Sequence, residues 1–136
     1  MGAVQVTVRV NAELYAFPVE AVVEVAELGQ PTPVPGAGPG AIGLQNLRGS
    51  ALPVFDLATL LGIAGGETPT RLVVAELAGR RAGFAVDEVC DVGELPAAEE
   101  AHDTPLLLGA ALTDRGLIGL VDLGRLLDEL EGEAAA

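Results

Sequence analysis

The chain has 136 residues, one cysteine, one histidine and a formal charge of −13, and all seven of its basic residues are arginine. That length fits one domain, or two small subdomains sharing a core, and the lone Cys90 leaves neither a disulfide framework nor a cysteine metal site. Scattered arginines on an acidic chain exclude the basic stripe that nucleic acid requires and are unsuited to an acidic membrane surface; a basic protein partner is favoured instead.

Val4, Val6, Val8 and Val10 alternate with Gln5, Thr7 and Arg9, the two-residue period of a strand with one apolar face. The opening MGAVQVTVRV has neither a signal-peptide profile nor the Ser or Thr of a myristoylation site. Every long apolar run is interrupted by Pro, Gly or charge, so no membrane-spanning helix is expected; the single cysteine makes a reducing cytoplasm the simplest reading. ELYAFPVEAVVEV, residues 13–25, continues as strand, with a bend or edge at Pro18 and Glu20. Val22 and Val23 are adjacent, so one of them must point away from a simple core. The segment 29–40, GQPTPVPGAGPG, is a loop by its proline and glycine content. Ile42–Leu47 and Ser50–Phe55 form a hairpin around NLRG, with Arg48 and Gly49 at the turn, and Asp56 caps a short helix, LATLL.

RLVVAEL (71–77) and RAGFAVDEVCDV (81–92) read as a second strand pair around AGR. Pro96 to Pro105, with Glu99, Glu100, His102 and Asp103, is an acidic loop. LLLGAALTDRGLIGLVDL (106–123) is a second hairpin turning at Arg115 and Gly116. Asp122 then caps LGRLLDEL, whose Leu123, Leu126, Leu127 and Leu130 share one helical face, before a frayed tail, EGEAAA.

The parts repeat. Residues 13–28 laid over 80–95 give identities at Phe17/Phe84, Val19/Val86, Val22/Val89, Val25/Val92, Glu27/Glu94 and Leu28/Leu95. Residues 52–61 laid over 118–127 share Asp56/Asp122 and three leucines. The chain therefore reads as two similar β units, at about 4–63 and 71–130, in one domain spanning 1–136. Short strands with Gly and Pro turns predict an all-β fold of small barrels that close their own edges.

The chemical motifs are weak. GPGAIG (38–43) fits a dinucleotide-binding pattern by letters, but a proline-rich loop precedes it and a β run follows, where a strand and a helix are needed. Without lysine there is no P-loop. His102 sits in an acidic loop, Cys90 alternates with valines as a small apolar residue would, and neither has a catalytic partner in sequence. The matched places of Asp56 and Asp122 favour caps over a carboxylate pair. Glu20, Glu24, Asp87, Asp91 and Glu94 recur at related strand positions, as a solvated sheet face or as an acidic rim around an interaction patch.

Taken together, YAFPVEAVVEV, the connector ending VPGAG, IGLQNLRGSALPVFDL, RLVVAEL with GRRAGFAVDEVCDV, and LIGLVDLGRLL resemble the CheW-like domain family of bacterial chemotaxis over residues 4–130. NLRG followed by PVFDL is the most specific piece, and Gln45 departs from the family pattern. The resemblance implies two packed five-stranded SH3-like barrels with short capped helices, one of them C-terminal. It also implies an adaptor without catalysis or cofactor, cytoplasmic and recruited to membrane-bound receptor arrays by its partners. Those partners would be the regulatory domain of a CheA-type histidine kinase, bound barrel to barrel, and the cytoplasmic tip of a chemoreceptor, held in a groove between the barrels. Carried over by motif, the receptor-facing positions are Val22, Glu24, Gly43, Asn46 and Arg48, and kinase contacts fall on exposed edges of the first barrel. A coupling protein of a pilus, gliding or other non-flagellar pathway is the related alternative. An enzyme or small-ligand binder, and a self-assembling module, are the readings from other classes.

Overall fold

A computed structural model of the protein describes residues 3–63, 68–99 and 105–135; Glu100, His102 and Asp103 lie outside them. The first repeat gives β1 (Val4–Val10), β2 (Glu13–Pro18), β3 (Val22–Glu27), β4 (Ala41–Leu47), β5 (Ser50–Asp56) and α1 (Leu57–Leu60). The second gives β6 (Arg71–Leu77), β7 (Arg80–Val86), β8 (Glu88–Glu94), β9 (Leu107–Thr113), β10 (Gly116–Val121) and α2 (Leu123–Ala135).

The two long strands expected over 13–25 and 81–92 each break in two. A turn of 3-10 helix, Val19–Ala21, separates β2 from β3, and Asp87 alone separates β7 from β8. Pro18, without an N–H, ends the first run; the Asp87 carboxylate is drawn aside to accept from the Asn11 backbone N–H at 2.7 Å. At both breaks the chain crosses from one sheet to the other.

The two five-stranded sheets have orders β8-β1-β2-β10-β9 and β3-β6-β7-β5-β4. The first, here the terminal barrel, combines the opening hairpin with the last three strands; the second, the central barrel, takes the middle of the chain. The NLRG hairpin, expected in the first barrel, thus lies in the central one. Each barrel is SH3-like, with one parallel contact, β2 with β10 or β5 with β7.

Strand β1 is more buried than its alternation predicts, because Gln5 and Thr7 are covered as well as the valines. Val6, Val8 and Val10 face the core shared between the barrels. Gln5 and Thr7 occupy the places that Leu72 and Val74, part of a second apolar cluster, hold in β6. In the shared core the equivalent rings of Phe17 and Phe84 meet at 5.6 Å between centroids, and Phe55 lies 6.4 Å from Phe84.

The caps differ. The Asp122 carboxylate accepts from the Arg125 backbone N–H at 3.1 Å, an N-cap bond at the head of α2. Asp56 holds the equivalent place, but its carboxylate accepts from the Thr59 hydroxyl at 2.7 Å and makes no bond to a backbone N–H. Asp122→Ala is therefore expected to cost about 1 kcal/mol and Asp56→Ala less, readable as two thermal melts. α2 does not end at Leu130 as expected but runs on to Ala135. Its leucine stripe, Leu123, Leu126, Leu127 and Leu130, is buried in the shared core.

Candidate functional site

Leu47 pairs with Ser50, leaving Arg48 and Gly49 as a two-residue hairpin loop. Both are left-handed, at φ 51° and 86°, as a tight turn matching strand twist requires. Asn46 braces it: its side-chain carbonyl accepts from the Gly49 N–H at 3.0 Å. Ala78 and Gly79 make the same turn between β6 and β7, at φ 53° and 81°, so turn geometry alone does not single out Arg48.

What distinguishes Arg48 is its grip on Glu24. The Arg48 Nε donates to Glu24 Oε2 at 3.0 Å and to Oε1 at 3.3 Å, and an NH2 group donates to Oε1 at 3.2 Å. β3 and β4 are the two edges of the central sheet, so this fork ties the turn after β4 to the opposite edge. Gln45 makes a second tie. Its amide donates to the Glu27 carbonyl at 3.2 Å and accepts from the Gly29 N–H at 3.0 Å. That gives the departure from the family pattern a structural reason.

Arg48 remains 78% exposed and Glu24 only 21%. The hydrogen bonds from Arg48 hold the Glu24 carboxyl below its ordinary value of 4.5, and Glu24 raises the guanidinium in return. Because the folded-state value is lowered, the pair favours the folded arrangement above the ordinary carboxylate range and loses that contribution as pH falls through the lowered value. Titration of the Glu24 carboxyl by NMR is expected to show this depression, and Arg48→Ala to move the midpoint back up.

The other carried-over positions lie elsewhere. Gly43 is buried in β4 beneath the proline-rich loop, where Thr32 and Leu44 exchange backbone hydrogen bonds of 2.8 and 2.9 Å. A Cβ there would stand 2.2 Å from the Thr32 carbonyl oxygen. Val22 is half-buried against the shared core, next to a bulge that leaves Val23 exposed. The structure thus gathers Glu24, Asn46 and Arg48 at one closing edge, with Gly43 under a loop and Val22 on the barrel boundary.

Two features escaped the sequence. On the terminal barrel Arg115 stands 3.8 Å from Asp91, a looser counterpart of the Arg48–Glu24 pair, and the repeat itself marks it, since Glu24 aligns with Asp91. The turns are not equivalent, however. Thr113 pairs with Gly116, so Asp114 and Arg115 form that loop and keep negative φ, while Gly116 takes the left-handed φ of 100°. The second feature is apolar: Val92, Leu108, Leu112 and Leu117 are all exposed on β8, β9 and β10.

Among the described residues no group of three or more His, Cys, Asp or Glu side chains is placed to hold a metal, and no helix is long and apolar enough to cross a membrane. Cys90 is half-buried at the bulge in β8 rather than packed away; burial, then Glu88, pushes its thiol up from 9.0, so it is a poor nucleophile. Among the described residues, the lining of the hollow beside Gly43, which includes Val34, Pro53, Phe55 and Leu130, has no titratable side chain.

Known proteins match this architecture along its length. The chain is 29% identical to chemotaxis protein CheW of Bacillus subtilis, over 98% of this chain and 92% of that protein. With chemotaxis protein CheW of Thermotoga maritima the identity is 30%, over 90% and 85%. The crystal structure of the scaffolding protein TtCheW from Thermoanaerobacter tengcongensis superposes with a TM-score of 0.83 at 30% identity, covering 93% of this chain and 88% of that one. The family model described as CheW-like domain matches residues 5–131, and the chain belongs to that family.

Proposed function

We propose that this chain is a coupling scaffold of chemosensory signalling, joining chemoreceptor tips to the regulatory domain of a CheA-type histidine kinase without chemistry of its own. The observation that carries the reading is the Arg48–Glu24 fork. A bidentate arginine, mostly in solvent, is held rigidly on a braced turn at a barrel edge and adds little to burial. A preorganised charged group of this kind suits a polar recognition contact, because little side-chain freedom is left to lose on binding. Val22, on the barrel boundary, supplies the apolar side of the receptor groove, and Gly43 shapes its edge by letting the Thr32 loop lie flat.

The kinase domain, itself a barrel pair in this family, docks on the exposed edges of the barrel that holds β1. There Leu108 and Leu112 are exposed on the β9 edge, with Leu117 paired across the hairpin from Leu112, and Val92 is exposed on the other edge, β8. The protein works in the cytoplasm and reaches the membrane through its receptors. Pull-downs against receptor tip and kinase regulatory domain test both faces. Arg48→Ala is expected to weaken receptor capture about tenfold or more with little change in melting temperature. Arg48→Asn, which suits the left-handed turn, should weaken it equally with little loss of stability. Leu112→Asp should spare the receptor and lose the kinase. Arg48→Ala that melts much earlier while receptor capture stays intact would instead make Arg48 a structural tie.

A further inference from the structure

The two barrels duplicate registers as well as strand order: the hairpin pairings stay within a repeat, and the pairings that close each barrel are exchanged between the repeats. Gln5 faces Pro18 in β1–β2 as Leu72 faces Ala85 in β6–β7, each within one repeat. Across repeats, Val4 faces Glu94 and Arg71 faces Glu27, while Leu120 faces Ala16 and Val54 faces Gly83. The irregularities coincide too: β8 bulges at Cys90 against β1, and β3 bulges at Val23 against β6. Thr32 bridges Leu44 as Glu99 bridges Ala110, and a Cβ on Gly43 or on Gly109 would stand 2.2 Å from the Thr32 or the Glu99 carbonyl oxygen.

Neither repeat closes a barrel alone. Without the second repeat, β1–β2 is an isolated hairpin and β3 has no neighbour, and two-stranded hairpins are marginal in water. The seam between repeats has the features of a subunit interface. It carries the Phe17–Phe84 contact, the ion pair of Arg9 with Glu88 at 3.3 Å, the Asn11 N–H bond to Asp87, and an Asp87 N–H bond to the Arg9 carbonyl at 3.0 Å.

The geometry points to a fused, reciprocally exchanged dimer of one five-stranded unit, whose seam is a protein-binding surface that accepts the complementary half of a second copy of this chain. Two chains then form an intertwined dimer, in which the first repeat of each completes both barrels of the other with the same ladders seen within one chain. At low concentration the tether between α1 and β6 keeps each seam within its own chain; at high concentration a second copy competes for it.

The test uses the full chain with a protease site placed within residues 64–67. One batch carries an N-terminal affinity tag and the other is isotope-labelled throughout. Both are cut, mixed equally, unfolded in urea and refolded together. The cut protein is expected to elute at the size of the intact chain with its sheet spectrum unchanged, and about half of the tagged first repeats to capture a labelled second repeat. Uncut chain refolded at high concentration should yield a dimer that persists on native dilution and returns to monomer only after refolding dilute. Pieces that part on the column, a single repeat that keeps its sheet spectrum alone, or uncut chain that stays monomeric at every refolding concentration would each overturn the proposal.

Discussion

Phe84→Ala is expected to lower stability by about 3–5 kcal/mol, which for a chain of this size moves the melting temperature by roughly 15 °C. Phe84 is fully buried, with Phe17 at 5.6 Å and Phe55 at 6.4 Å between ring centroids, so truncation empties the place where the two barrels meet. The neighbours cannot collapse into the gap without shifting strands in both sheets, because β2 and β7 belong to different barrels. Chemical denaturation with Phe17→Ala alongside checks the reasoning. The two equivalent residues should show similar losses, and their double variant should lose less than the sum, since each removes the other's partner. A change under about 1 kcal/mol at Phe84 would mean that the shared core does not hold the barrels together.

Gly43→Ala is expected to cost about 2–3 kcal/mol, again measured by denaturation. A methyl group at this position meets the Thr32 carbonyl oxygen, so the loop must lift and give up the paired hydrogen bonds between Thr32 and Leu44. The backbone φ of 151° adds strain for any residue with a Cβ. Receptor capture should fall together with stability, in contrast to Arg48→Asn, where capture falls with little loss of stability. Gly109→Ala in the terminal barrel meets the Glu99 carbonyl in the same way but without the positive φ, and should cost somewhat less while sparing the receptor face.

Strand content, both hairpins, the loop at 29–40 and the internal repeat were all legible in the sequence, because each rests on local signals: alternation, turn chemistry and identity between copies. The exchange of strands between barrels was not. A run that changes sheet keeps its β-forming residues, and only Pro18 hinted at the first crossing, while the second turns on Asp87 alone. The turn at Arg48 was visible, but its partner Glu24 was not, because the contact spans the two edges of a closing sheet rather than neighbours in sequence. Gly43 was named for its motif; its physical reason, the Thr32 carbonyl above it, needs the loop in place. Aligning Arg115 with Arg48 slipped by one position against the sheet register, since one hairpin spends its left-handed residues inside the loop and the other uses Gly116 just after it. Leu108, Leu112 and Leu117 looked like ordinary strand leucines, because alternation alone does not tell an interior from an unpartnered exterior.

Kinase activity in membranes carrying the native receptors, measured with and without this chain, tests the coupling role most directly. Receptor-dependent kinase activity is expected only when the chain is added, is lost with Arg48→Asn at little changed protein stability, and is lost with Leu112→Asp through failure to recruit the kinase. Kinase activity that follows receptor state equally well without the chain would contradict a coupling role.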